Sequence, residues 1–269
     1  KMVSIYHLPL RTGRIVNLKR LFSSIPSVPP SYEIQTYSYK ICPFCCKSKA
    51  IMKHFGIAYK DVEVSPLSKS QISWSKDYQK VPIAVFSDGK VVCDSSLIIQ
   101  EVLDRQEQST SIDLFISNEA KEWEKWSTEK LAILMYPNMT RSFSECRQLL
   151  SYYKNVEGIG FLDALIVQNI GAFGMTLAHG KIKEKYGLDD EREALWKVLD
   201  EFIEKLNEKG NNKFLGGDIP NLGDVSVYGV LSSAQGVPLF DQMISYGNGR
   251  LGTWMNMMNS RPQHSKKNK

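Results

Sequence analysis

Tyr32-Glu-Ile-Gln-Thr-Tyr37, followed after four residues by Cys42-Pro-Phe-Cys45 and then by Cys46 to Phe55, decides how this 269-residue chain is read. The first run alternates as a strand does, with side chains turning to opposite faces at each step. Cys45 to Phe55 has the spacing of an amphipathic helix, with Ile51, Met52 and Phe55 predicted inward and Lys47, Lys49 and Lys53 predicted outward. Cys42 therefore falls just before a helix start, where unpaired backbone N–H groups and aligned peptide dipoles favour an anion. Pro43 suits the first turn because it has no N–H to leave unpaired. A free thiol is mostly protonated near neutral pH, and the thiolate is the nucleophile. Cys42 is accordingly expected to be the activated thiol, with Lys40 and Lys47 adding positive potential. Cys45, one turn inside, is expected to be the resolving thiol or hydrogen-bond partner.

Outward from this unit the pattern continues. Tyr59 to Val64 reads as a second strand, parallel to the first through a right-handed crossover, and Ser68 to Trp74 as a short helix. Ile83 to Phe86 and Lys90 to Cys93 flank the turn Ser87-Asp88-Gly89, and Ser95 to Arg105 closes the unit as a helix. This order is that of a thioredoxin-like domain. Val81-Pro82, 36 positions after Cys45, stands where this fold holds a proline before its third strand. A cis bond there would turn the backbone of Val81 toward the cysteine, for strand-like pairing with a cysteinyl peptide. Asp94 and Ser95, at the end of a strand and the start of a helix, suit the charged γ-glutamyl end of glutathione. The competing readings are an ordinary turn proline and a plain helix cap.

Beyond residue 108 strand signals vanish. Glu119 to Met135, Ser142 to Tyr153, Gly160 to Tyr186, Asp190 to Lys209 and Leu222 to Ser233 read as helices, and Asn221 with Asp224 as a capping box. An α/β thioredoxin-like domain followed by an all-α one is a glutathione-transferase-like architecture. The expected division is residues 1–31 as arm or linker, 32–107 as the thioredoxin/glutaredoxin-like domain, 108–260 as the helical domain and 261–269 as a polar tail.

Composition bounds the function. The chain is 42% hydrophobic and 23% charged, as in soluble proteins, and its net charge of +5 is too small for the basic stripe of a nucleic-acid binder. Five cysteines make an odd, uneven set, unlike a secreted disulfide framework. With four histidines and none at ligand spacing from the cysteine pair, no metal site is expected. Cys46, Cys93 and Cys146 are read as packing residues. The apolar run Phe161 to Leu177 carries Asp163, Gln168 and Asn169, which are costly in a bilayer core, so a buried helix of a soluble domain is expected. The chain starts at Lys1 without a visible signal peptide, and a missing upstream targeting segment is expected.

Tyr39-Lys-Ile-Cys-Pro-Phe-Cys45, Tyr59 to Val64, Lys80-Val-Pro-Ile83 and Asp94-Ser-Ser-Leu-Ile-Ile99 together resemble the membrane-associated prostaglandin E synthase type 2 family. So do Tyr136-Pro-Asn138, Phe214-Leu-Gly-Gly217, Pro220-Asn-Leu-Gly-Asp224 and Tyr228-Gly-Val-Leu231, so that the resemblance covers residues 32 to 258. It implies a homodimeric isomerase converting prostaglandin H2 to prostaglandin E2, with Cys42 as nucleophile, Tyr39 and Phe44 lining the site and Cys45 beside it. It implies glutathione contacts at Val81, Pro82, Asp94 and Ser95, and an apolar cleft lined by Tyr39, Phe44 and side chains near Tyr136. It also implies a cytoplasmic enzyme attached to a Golgi or other internal membrane through an upstream segment. Members of the family are associated with haem bound alongside glutathione. Here Ile133 and Tyr136 replace a histidine and a serine near that site, and Lys181 and Lys185 stand where arginines are expected for the propionates. A lysine pairs as a point charge without the bidentate fork. Two alternatives stand beside the isomerase: a glutaredoxin-like thiol oxidoreductase, and a glutathione- or haem-binding protein with vestigial catalysis.

Overall fold

A computed structural model describes residues 28–29, 31–106, 112–157, 159–208 and 213–260. The expected polar tail and all but three residues of the expected N-terminal arm lie outside them.

Strand β1 (Ile34–Ser38) is buried along its whole length and lies inside a four-stranded sheet. It pairs in parallel with β2 (Tyr59–Glu63) on one side and antiparallel with β3 (Ile83–Phe86) on the other, and β4 (Val91–Cys93) completes the order β2-β1-β3-β4. Burial on both faces obliges the polar side chains of β1 to find partners. Thr36 and Ser38 donate to the Oδ1 of Asp61 at 2.8 and 2.7 Å, and the ammonium of Lys49 meets the other oxygen at 2.7 Å. Helices α1 (Pro43–His54) and α2 (Ser95–Asp104) pack on the sheet through Ile51, Met52, Ile98 and Ile99, all buried.

The rest of the described chain is helical. After a short α3 (Ile112–Phe115), α4 (Asn118–Trp126) runs through a wide π turn into α5 (Ala132–Met139). Then follow α6 (Phe143–Leu149), α7 (Phe161–Ile166), which joins α8 (Ala172–Tyr186) through a second π turn, and α9 (Glu191–Asn207). Helix α10 (Leu222–Ser232) opens with the capping box expected of Asn221 and Asp224, in which each residue's side chain accepts from the other's backbone N–H. Asp224 also accepts from the backbone of Leu215 and Gly216 and from the indole of Trp254 at 3.1 Å. Trp254 comes from α12 (Arg250–Asn259), which with α11 (Pro238–Ser245) the helical periodicity did not reveal. Both are short, and α12 is preceded by Gly247 and Gly249 at positive φ, residues that read as a chain break.

Helix α10 holds the two halves together by packing along α1. A Cβ on Gly229 would stand 2.6 Å from the Cα of Lys47 and 2.9 Å from the carbonyl oxygen of Cys46. Backbone cannot yield as a flexible side chain does, so Gly229→Ala is expected to cost about 1–3 kcal/mol by overpacking. Urea titration is expected to show a lower midpoint with an unchanged slope.

Two sequence expectations are corrected. Lys47, expected outward, is fully buried: its ammonium lies 2.5 Å from both Glu124 Oε1 and Thr128 Oγ1, on α4 and the turn after it. Its helix is covered on that side by the helical domain, whose position its own periodicity could not disclose. Conversely, the α7–α8 segment is no buried helix. Ala164, Val167 and Ala172 pack inward, but Phe161, Leu162, Ile170, Phe173 and Leu177 are each more than half exposed.

Candidate active site

The strand-to-helix turn places Cys42 as the N-cap of α1, with φ −84° and ψ 118°, and Pro43 in the first turn. The backbone N–H of Cys45 donates to the Sγ of Cys42 at 3.4 Å. The Cys42 thiol is held below its ordinary value chiefly by the hydrogen bond from the Cys45 thiol, with the backbone N–H groups of Cys45 and Phe44 and the charge of Lys49 adding to it against the opposing effect of burial. Cys45 is held well above the ordinary value, by burial first and then by its neighbour Cys42. One sulfur is thus prepared as the anion and the other as the donor that stabilises it. The cation that acts here is Lys49, which Asp61 keeps charged against the cost of burial. Of Lys40 and Lys47, to which this role was assigned from sequence, Lys47 points instead to Glu124 and Lys40 lies over the ring of Tyr152.

The remaining cysteines differ. Burial raises Cys46 to about 12 and Cys93 to about 11, and it raises Cys146 as well. Cys46 donates to the carbonyl of Lys40 at 3.1 Å.

The residues expected to form the second half of the site are joined to one another. Val81–Pro82 is cis, and the backbone N–H of Asp94 donates to the carbonyl of Pro82 at 3.2 Å, joining the proline turn to the start of α2. Asp94 sits at φ 84°, a region that L-residues seldom occupy and that costs about 1–3 kcal/mol. Its carboxylate accepts from the N–H of Ser96 at 2.9 Å while remaining exposed, and Ser95 is buried beneath it. Tyr39 is half-buried, its hydroxyl pushed up to about 12 by burial and by Cys42 and Cys45. Phe44 packs with Ile41 against the core of the helical domain.

Tyr78 was not singled out from sequence. Burial raises its hydroxyl, and Asp94, Cys93, Cys45 and Cys42 raise it further, so it lies within the field of both halves of the site. Nothing in the local pattern marks it, because the loop that carries it has no periodicity.

A wide cleft lies beside the cysteine turn. Its volume is about 850 Å³, and it starts at Lys40 and Ile41 and passes Cys46, Lys49 and Tyr228 to Met258. Tyr39, Phe44 and Tyr136 do not line it. Phe44 is occupied in the domain contact, and Tyr136 donates to the carbonyl of Met175 at 3.3 Å. The four residues compared with the family's haem site have these surroundings. Ile133 packs against the helical core, Tyr136 is bonded as above, Lys185 lies over the ring of Tyr186, and Lys181 is exposed.

Residues 37–110 match the model of the glutathione S-transferase N-terminal domain. The chain is 26% identical over 275 residues to prostaglandin E synthase 2 of Danio rerio, covering 86% of this chain and 72% of that protein. To prostaglandin E synthase 2 of Mus musculus it is 27% identical over 263 residues, covering 81% and 68% respectively. In structure it resembles a glutathione S-transferase of Ceriporiopsis subvermispora solved in complex with glutathione, with a TM-score of 0.58 at 13% identity over 84% of this chain and 96% of that one. The chain is thus related over most of its length to prostaglandin E synthase 2 proteins. Its architecture is the glutathione transferase fold, a thioredoxin-like domain followed by a helical one.

Proposed function

We propose that this protein is a thiol-dependent prostaglandin E synthase whose Cys42 thiolate isomerises prostaglandin H2, in a site that also takes glutathione. The observation that carries the reading is the paired thiols: Cys42 lowered and Cys45 raised at one helix start, in a chain related to prostaglandin E synthase 2 proteins. In the proposed step the thiolate attacks the endoperoxide oxygen attached to carbon 9. The weak O–O bond breaks, and the oxygen on carbon 11 leaves as an alkoxide. Cys45 and Tyr78, both held protonated, are the groups suited to give it a proton. Removal of the hydrogen on carbon 9 then forms the ketone as the sulfur–oxygen bond breaks and returns the thiolate. No residue is assigned to that last proton transfer.

Glutathione is proposed to lie with its cysteinyl backbone along Val81 and its γ-glutamyl end over Asp94 and Ser95, where the exposed carboxylate can meet an ammonium. Asp94→Asn keeps an oxygen for the N–H of Ser96 and removes the charge. It is expected to weaken glutathione binding about tenfold or more in calorimetry, with little change in melting temperature. Unchanged affinity would remove Asp94 from the pocket. A cytoplasmic location at an internal membrane belongs to the same proposal.

The test of the whole reading is product analysis after incubation with prostaglandin H2. Prostaglandin E2 above the uncatalysed background, lost in Cys42→Ser and retained in Cys45→Ser, supports the isomerase. Equal product from all three proteins overturns it.

A further inference from the structure

The turn that delivers Cys42 to its helix is tied down from several sides. The N–H of Cys42 donates to the carbonyl of Tyr39 at 3.1 Å, which closes the turn on itself. The carbonyl of Lys40 accepts from the thiol of Cys46 at 3.1 Å, which ties the turn to α1. The N–H of Lys40 donates to the carboxylate of Glu63, whose oxygens lie 3.0 and 3.1 Å away. Glu63 is the last residue of β2 and stands in register with Ser38 of β1. The same carboxylate takes a donor from the helical domain. The hydroxyl of Tyr152, on the 3₁₀ turn Leu150–Asn155 after α6, meets its Oε1 at 2.6 Å. The Lys40 ammonium lies over the Tyr152 ring, 5.7 Å from its centre, so Lys40 is held from both domains.

We infer that Glu63 is a positioning residue for the reactive thiol. It holds the turn over residues 39–42 so that the Cys42 sulfur stays on the N–H of Cys45, and Tyr152 couples that hold to the docking of the helical domain. The Cys45 N–H meets the sulfur at 3.4 Å, and such bonds weaken steeply with misalignment, so a small movement of the turn loses the contact. A carboxylate is suited to the task because it accepts from Lys40 and Tyr152 at once, and a charged acceptor makes the stronger bond to each. The inference rests on Cys42 being the working thiol of the site, and not on the substrate proposed for it.

The competing role for Glu63 is a field effect. Asp61, Lys49, Tyr39, Tyr152 and Tyr153 share its field, and the Lys40 ammonium stands beside it. As an anion, Glu63 by itself disfavours a nearby thiolate. Removing its charge therefore makes the Cys42 thiolate easier to form, whereas loosening the turn makes it harder. The two roles shift the thiol in opposite directions.

The test is the pH profile of Cys42 alkylation by iodoacetamide, read by peptide mapping, in the wild type, Glu63→Gln, Glu63→Ala and Tyr152→Phe. Glu63→Gln keeps an oxygen for the N–H of Lys40 and removes the charge, so its midpoint is expected at the wild-type pH or below. Glu63→Ala removes the acceptor, and is expected to move the midpoint about one pH unit higher and slow labelling on the acid side about tenfold. Tyr152→Phe keeps the ring beneath Lys40 and removes a donor, and is expected to slow labelling in the same sense by roughly threefold. Tyr152→Phe decides the matter if Glu63→Ala does not fold. Equal downward shifts in Glu63→Gln and Glu63→Ala assign Glu63 to the field alone and overturn the inference. Lower melting temperatures with unmoved profiles make its role structural only, and overturn it as well. A shift in Glu63→Ala without one in Tyr152→Phe overturns the part given to the helical domain. The same proteins are incubated with prostaglandin H2. The expected alkylation shifts, with no prostaglandin E2 from any of them, overturn the proposed substrate and support the positioning role.

Discussion

Cys42→Ser is expected to lose prostaglandin H2 isomerisation by on the order of 10³-fold or more, because a serine hydroxyl at that helix start remains protonated where the thiol ionises. Substitution of Cys45 separates the two sulfurs by pH. The leading cause of the low Cys42 value is the hydrogen bond from Cys45, and burial opposes it. Cys45→Ala removes the donor and leaves the burial, so the Cys42 value rises. The thiolate is the deprotonated form, so the loss falls on the acid side of the new value and vanishes once pH exceeds it. Each unit of rise lowers the reactive fraction about tenfold on the acid side. Cys45→Ser keeps an O–H donor and is expected to retain most of the low-pH rate. Iodoacetamide labelling followed by peptide mapping checks this: Cys42 is expected to label first in the wild type and to shift alkaline only in Cys45→Ala. A profile identical in Ala and Ser would show that the helix start, and not its partner thiol, sets the reactivity.

The second large effect concerns stability. Lys47 is fully buried and meets Glu124, Thr128 and Ser96, while Ser96 itself donates to Glu124 at 3.1 Å. These four residues join α1 and α2 of the first domain to α4 and its following turn in the second. Glu124→Ala leaves an ammonium inside the protein with hydroxyls alone around it, and is expected to destabilise by about 3–5 kcal/mol. For a chain of this size that is a fall in melting temperature of roughly 10 °C. Replacing the pair together, Lys47→Met with Glu124→Leu, removes both charges and is expected to recover most of the loss in a double-mutant cycle. Additive effects of the two single changes would show that the pair is not coupled.

Local chemistry was legible in the residues. Cys42-Pro-Phe-Cys45 after an alternating run carries its own strand, turn and helix start, because capping, proline placement and periodicity act over a few neighbouring positions. The same holds for the Asn221 and Asp224 box and for the hairpin around Gly89. Val81-Pro82 and Asp94-Ser95 were recognisable as parts, but their junction through Asp94 N–H and Pro82 is a contact between segments.

What only tertiary structure decided depends on which surface covers which. Lys47 and Lys49, two positions apart, project from opposite sides of α1, and only the docking decides that Lys47 goes under the second domain to Glu124 while Lys49 goes to Asp61 beside the thiols. Tyr78 reaches the field of the site from a loop without periodicity. The Phe161 to Leu177 run shows the limit most plainly. Its composition determines that an apolar helix forms, but burial requires a facing surface, and the described residues supply one for only one side of that helix. Sequence alone thus determined the elements of the first domain and the helix start at Cys42; the docking of domains decided which charges are buried, which tyrosine lies in the field of the two thiols and which apolar face stays exposed.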